Sequence, residues 1–181
     1  MNQNGDYLIN QDDKIAVGNP IPKYTYAFGF NLGYSNLTLE AQFQGVYDVD
    51  VYPTGNIVFP FQNGAGVTMD WATDSWTPDN RNSKYPLLTT YTDAGENFIP
   101  STHWLRDASY LRMKNIQLSY SLPKSLTDKL KLSRMMVYIS GQNLLTISDF
   151  KLWDPEISST LNSLSAYPSL KTVSCGINIS L

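Results

Sequence analysis

The chain has 181 residues, room for one domain and one core. A net charge of −3 leaves no basic footprint for nucleic acid, and the single cysteine, Cys175, excludes an internal disulfide framework or a cysteine-based zinc cluster. No apolar run approaches the ~18 residues of a membrane helix, but barrel strands carry only every second residue as apolar, so this does not exclude a membrane.

Residues 1–20 read as an Asx-rich loop segment. Met1-Asn-Gln-Asn-Gly-Asp6 is polar and lacks the basic start of a secretory leader. A membrane or secreted protein would therefore not begin naturally at Met1, and the chain would be a fragment. Asn2, Asn4, Asp6, Asn10 and Asp13 fall where a calcium loop places its oxygen ligands, with the Leu8 carbonyl at the backbone position. Tyr7 stands where the sharp turn wants glycine, and Asp13 where a bidentate Glu is usual. A weak calcium site competes here with a plain Asx-rich surface turn. No other cofactor is expected.

Ile21 to Tyr34 is the cleanest predicted strand. Tyr24, Tyr26, Phe28, Phe30, Leu32 and Tyr34 share one parity; Lys23, Thr25, Ala27, Gly29, Asn31 and Gly33 share the other. Such an unbroken large apolar face exceeds what a soluble strand usually carries. A tight turn at Tyr34-Ser-Asn-Leu37 leads to a second strand running to about Asp50, with Leu39, Ala41, Phe43, Tyr47, Val49 and Val51 on its apolar face. Each strand exceeds the ~9–11 residues that cross a bilayer.

Residues 51–106 are rich in Pro, Gly, Asn, Asp and Thr, with Trp71, Trp76, Tyr85, Tyr91 and Trp104 scattered among them. A structureless connection of this length is unusual in a compact soluble domain but ordinary for an extracellular barrel loop. A third strand runs from about Ser109 to Leu122. Its first half, Leu111-Arg-Met-Lys114, breaks parity and predicts a bulge or a charged rim. Pro123 to Leu130 reads as a short helix, Arg134 to Ile147 as a fourth strand, and residues 148–169 as a second long loop holding Trp153. The terminal strand, Lys171 to Leu181, alternates Val173, Cys175, Ile177, Ile179 and Leu181 against small polar residues. Five strands joined by short, long, short and long connections follow the rhythm of an outer-membrane barrel. Five cannot close around a lumen, so they would complete a larger one.

Tyr110-Leu-Arg-Met-Lys-Asn-Ile-Gln-Leu-Ser-Tyr-Ser-Leu-Pro-Lys124 resembles the penultimate region of SusC/RagA-type TonB-dependent outer-membrane transporters. Tyr138-Ile-Ser-Gly-Gln-Asn-Leu-Leu-Thr146, Trp153-Asp-Pro-Glu156, Tyr167-Pro168, Asn4-Gly-Asp6, Val17-Gly-Asn-Pro-Ile-Pro-Lys-Tyr-Thr-Tyr26 and Phe43-Gln-Gly45 are similar to the same family. The resemblance implies an all-β fold in which residues 21–181 are the C-terminal segment of a barrel of about 22 strands. It also implies an N-terminal plug and TonB-contacting region outside this chain, a SusD-like surface lipoprotein, and residence in the outer membrane. Ser174-x-Gly176-x-x-Ile179-x-Leu181 resembles the signal read by the outer-membrane assembly machinery, although Leu181 stands where that signal commonly has an aromatic residue.

No nucleophile elbow, P-loop or dinucleotide fingerprint occurs, and His103 is the only histidine. These absences point away from an enzyme, and the resemblance implies part of an importer of glycan oligomers, or peptides, in contact with membrane lipid. Trp71, Trp76 and Trp153 are candidate ligand platforms, with loop packing as the equal alternative. Asp48 and Asp50 form a candidate carboxylate pair whose plainer reading is a solvated rim. Tyr24 and Tyr34 fit an interfacial aromatic belt. The competing reading is a soluble secreted β-sandwich that binds carbohydrate through the same tryptophans.

Overall fold

The computed structural model describes Gly5, Tyr7 and residues 11–55, 58–90, 95–158 and 167–181. Its strands are β1 (Tyr24–Tyr34), β2 (Leu37–Tyr47), β3 (Asp50–Val51), β4 (Arg106–Asp107), β5 (Tyr110–Ser121), β6 (Arg134–Ser148) and β7 (Thr172–Ser180). Five of them form one antiparallel sheet in the order β1-β2-β5-β6-β7, while β3 and β4 pair as a small ribbon.

The β1–β2 hairpin pairs from Tyr34↔Leu37 to Tyr24↔Tyr47 without interruption. Ser35 takes the left-handed backbone (φ 53°) that reverses the chain in two residues. Asn36 then offers its carbonyl to the Ser121 N–H, tying the turn to the next strand. Because side chains alternate, register decides the faces. Tyr34, Leu37, Tyr120, Val137 and Ile177 make one row across the sheet; Leu32, Leu39, Leu118, Ile139 and Cys175 make the next. Phe28 stacks on Phe43 at 5.0 Å between ring centroids, in a row that continues through Met113 and Leu145.

Nothing in the described structure covers this apolar face. Every residue of β1 is exposed, including Phe28 at 53% and Leu32 at 59%. The face is bounded by tyrosines at both ends: Tyr24 and Tyr47 near the long connections, Tyr34 and Tyr120 near the hairpin turn. The eleven residues of β1, at about 3.3 Å each, span roughly 35 Å. Tilted by about 40°, they rise close to the ~25 Å of a barrel's apolar band. A β-sandwich needs a second sheet packed about 10 Å away. Among the described residues no second sheet packs on this face.

Three expectations are corrected. The second strand does not continue to Asp50. Asp48 adopts a left-handed conformation (φ 59°), β2 stops at Tyr47, and Val49 and Val51 turn away from the sheet. The 51–106 connection is not structureless either. Val49, Val51, Val58, Phe59, Trp71, Tyr85, Phe98, Trp104 and Ala108 form a buried cluster, joined by Phe150 from the β6–β7 connection. A short helix, α1 (Met69–Thr73), presents Trp71 to it, and aromatic stacking rather than periodicity organises the segment. The predicted Pro123–Leu130 helix is shorter than expected: α2 spans Lys124–Thr127, and Lys131 (φ 55°) leaves the helical region.

Candidate functional site

The opposite face of the sheet is polar. Asn31, Glu40, Gln117, Ser140 and Ser174 form one row, and Gly29, Gln42, Asn115, Gln142 and Thr172 another. Asn31 Nδ2 donates to Glu40 Oε1 at 2.8 Å. Two close approaches shape the sheet. Tyr26 lies across Gly45 and donates its hydroxyl to the Tyr110 carbonyl at 3.2 Å; a Cβ at position 45 would come within 2.4 Å of that oxygen. On the polar face Tyr138 lies over Gly176, where a Cβ would meet its ring and hydroxyl at 2.5 Å.

The bulge expected near Leu111–Lys114 is present. Phe43 pairs with Met113 and Gln42 with Asn115, leaving Lys114 as the extra residue. On β6 the irregularity is matched at Asn143 (φ 53°). Arg112 and Lys114 both reach the loop after β6, whose short helix α3 spans Pro155–Ser158. Arg112 is 3% exposed in its side chain and donates to Asp154 Oδ1 and Glu156 Oε2, each at 2.5 Å, and to Thr146 Oγ1 at 3.0 Å. Lys114 Nζ meets Glu156 Oε1 at 2.5 Å. Asp154 also accepts the backbone N–H groups of Glu156 (3.0 Å) and Ser169 (2.8 Å). Burial pushes the Asp154 carboxyl up, but the Arg112 guanidinium and the two N–H groups outweigh it and hold it below the usual value. The loop is thereby clamped to the polar face by charges from two strand positions.

A cavity of about 290 Å³ lies against this clamp. Arg112, Thr146 and Ser148 line it from the sheet, and Lys151, Trp153 and Lys171 from the loop and the start of β7.

The sequence-predicted residues take different places. Trp71 is 2% exposed, donates Nε1–H to the Val58 carbonyl at 2.8 Å, and stacks on Tyr85 at 4.7 Å. Its ring is enclosed, so the platform reading is corrected to loop packing. Trp76 is 40% exposed beside the Tyr85 strand bridge. Trp153 is half-buried at the edge of the aromatic cluster and walls the cavity. Asp48 binds Lys23 Nζ at 2.6 Å and Asn19 Nδ2 at 3.0 Å, and Asp50 accepts the Asn19 N–H at 2.9 Å. The carboxylate pair thus fastens the segment before β1 to the start of the long β2–β5 connection, an insertion between the two strands. His103 packs edge-on against Trp104 at 4.7 Å, and burial lowers its basicity.

Asn2, Asn4, Asp6, Leu8 and Asn10 lie outside the described residues. Asp13 closes a short 3-10 turn, and the described residues contain no metal-ligand cluster. In the terminal strand, Ser174 faces Ser140 on the polar side, Ile179 faces Met135 on the apolar side, and Leu181 follows the last paired residue. The sequence did not reveal the Arg112 clamp. Its one trace was the pair of charges interrupting the alternation at Arg112 and Lys114.

No family model matches the chain. Two TonB-dependent receptors of Formosa agariphila are 30% and 29% identical to it, over 98% and 97% of its length. The chain spans about a fifth of the length of these relatives, 19% and 18%. Among solved structures, the RagAB peptide importer in its closed-closed state matches 95% of the chain and 19% of its own, with a TM-score of 0.75 at 24% identity. A RagAB peptide transporter structure matches 88% of the chain and 17% of its own, with a TM-score of 0.69 at 27% identity.

Proposed function

We propose that this chain, a SusC/RagA-type TonB-dependent receptor segment by sequence and fold, is the C-terminal part of the wall of an outer-membrane nutrient importer. The observation that carries the reading is the uncovered apolar face, bounded by tyrosines and backed by a polar one. Such a sheet suits a position where lipid meets one face and a hydrated lumen the other. Its role is transport rather than bond chemistry. The chain supplies lumen wall, lipid contact and two folded loops at the outer rim.

The cargo is an oligomer, a glycan or a peptide. The family resemblance supports glycans, and the description of the RagAB neighbours as peptide importers supports peptides. A SusD-like lipoprotein would cover the loop end, and TonB would engage a region outside this chain. The assembly machinery would read Ser174, Gly176, Ile179 and Leu181. The test is uptake of labelled oligosaccharide and peptide pools by cells carrying the full-length protein. Uptake should disappear when TonB is deleted or the proton gradient is collapsed. Uptake that persists unchanged under both treatments would defeat the reading.

A further inference from the structure

We propose that the cavity between the β6–β7 loop and the polar face is a subsite for one carboxylate-bearing unit of the transported oligomer, with Lys151 and Lys171 as its cationic rim and Trp153 as its apolar wall. The inference rests on the importer reading and adds a charge preference to it.

Arg112 and Lys114 are matched by Asp154 and Glu156, so the clamp is neutral within itself. Lys151 and Lys171 remain at the cavity, both exposed, and no carboxylate among the described residues pairs with either. Lys151 spends one of its three N–H donors on the Ser148 carbonyl. The Lys171 side chain has no hydrogen bond or ion pair among the described residues. Asp149 lies close in sequence but makes no ion pair among the described residues. Two ammonium groups with no carboxylate partner among the described residues, over a neutral floor, favour an anion.

Shape narrows the class. About 290 Å³ is at the small end of ligand pockets, which run from ~300 Å³ upward, so it suits one monomer unit rather than a whole oligomer. Trp153 supplies an apolar wall, and Thr146, whose oxygen accepts from Arg112, keeps its hydroxyl proton for a ligand, whereas the Ser148 hydroxyl is engaged with the Ser109 carbonyl and the Phe150 N–H. That combination fits a unit with an apolar face and a carboxylate edge, either an acidic amino-acid residue or a uronic acid. The buried Arg112–Asp154 pair and the Ser169 N–H on Asp154 hold these two parts of the cavity wall in place before ligand arrives.

The test uses the full-length transporter in detergent and its Lys151→Gln/Lys171→Gln double variant. Calorimetry would compare a glutamate hexapeptide with its glutamine counterpart, and a trigalacturonate with a neutral trisaccharide. We expect one acidic probe to bind the wild type more tightly than its neutral partner. The double variant should weaken that probe by about five- to tenfold and leave the neutral one unchanged. Whichever acidic probe responds identifies the source of the carboxylate. The proposal is overturned if neither acidic probe outbinds its neutral partner, or if the double variant binds the acidic probe as well as the wild type does. Energised uptake measured alongside separates the two readings. Uptake without acidic preference overturns this subsite alone, whereas no energised uptake of any oligomer overturns the importer reading.

Discussion

Arg112 is the residue on which the loop geometry turns. Its guanidinium is almost fully enclosed and bonded to Asp154, Glu156 and Thr146. Removing one member of a buried ion pair strands the other charge, which costs about 3–5 kcal/mol. Arg112→Met in the full-length barrel should lose about that much stability in urea titrations of the micelle-folded protein. Pairing it with Asp154→Leu should recover a large part, because neither buried charge then lacks a partner; a double variant as unstable as the sum of the two singles would argue against a shared interaction. The same pair sets a pH dependence. The folded Asp154 value lies below the unfolded ~3.9, so its stabilising contribution is complete above that value and is lost as pH falls through the folded one. Limited proteolysis of the 149–171 loop should be flat from pH 8 to about 5 and rise only below about 4. A step between pH 5 and 7 would assign the control to another group.

The strands were legible because their chemistry is local. A period of two, held through β1, β2 and β7, assigns faces before any partner is known. Phe28 sits mid-strand on the apolar face, opposite Phe43. Phe28→Arg should cost roughly 2–4 kcal/mol of barrel stability if that face meets the bilayer midplane. Gln42→Arg, one residue away on the polar face, should cost much less. Equal losses would mean that both faces share one environment and would sink the lipid assignment. Legibility ended where the signal became long-range. Val49 and Val51 keep the parity of β2, yet the left-handed Asp48 diverts them into the insertion, and nothing in the alternation marks that break. Trp71, Phe59 and Trp104 meet through an aperiodic loop, so their packing could not be told from a ligand platform. The Arg112 clamp joins residues 42 and 44 positions apart. Yet its two halves lie in two of the segments, Tyr110–Lys124 and Trp153–Glu156, that carried the family resemblance.

At the scale of the whole chain, the two parts are stabilised differently. The insertion has a protein core of its own, with Trp71 and Trp104 almost fully enclosed. The sheet has none: its apolar rows face outward, and β1 and β7 each have one edge with no partner among the described strands. In water such a sheet would expose both a broad apolar surface and two rows of unpaired N–H and C=O groups, a template for association. Lipid and neighbouring barrel strands would remove both problems together. The isolated 181-residue chain should therefore be monodisperse only in detergent, and should associate when detergent is withdrawn. Size-exclusion chromatography with light scattering at several detergent concentrations would measure this. Blunting the face with Phe28→Ser, Phe30→Ser and Leu32→Ser should lessen the association, because it removes apolar area while leaving the β1 edge in place. A sharp monomer peak from the unmodified chain without detergent would mean that the apolar rows find a protein partner in solution, and the barrel-wall reading would fall with them.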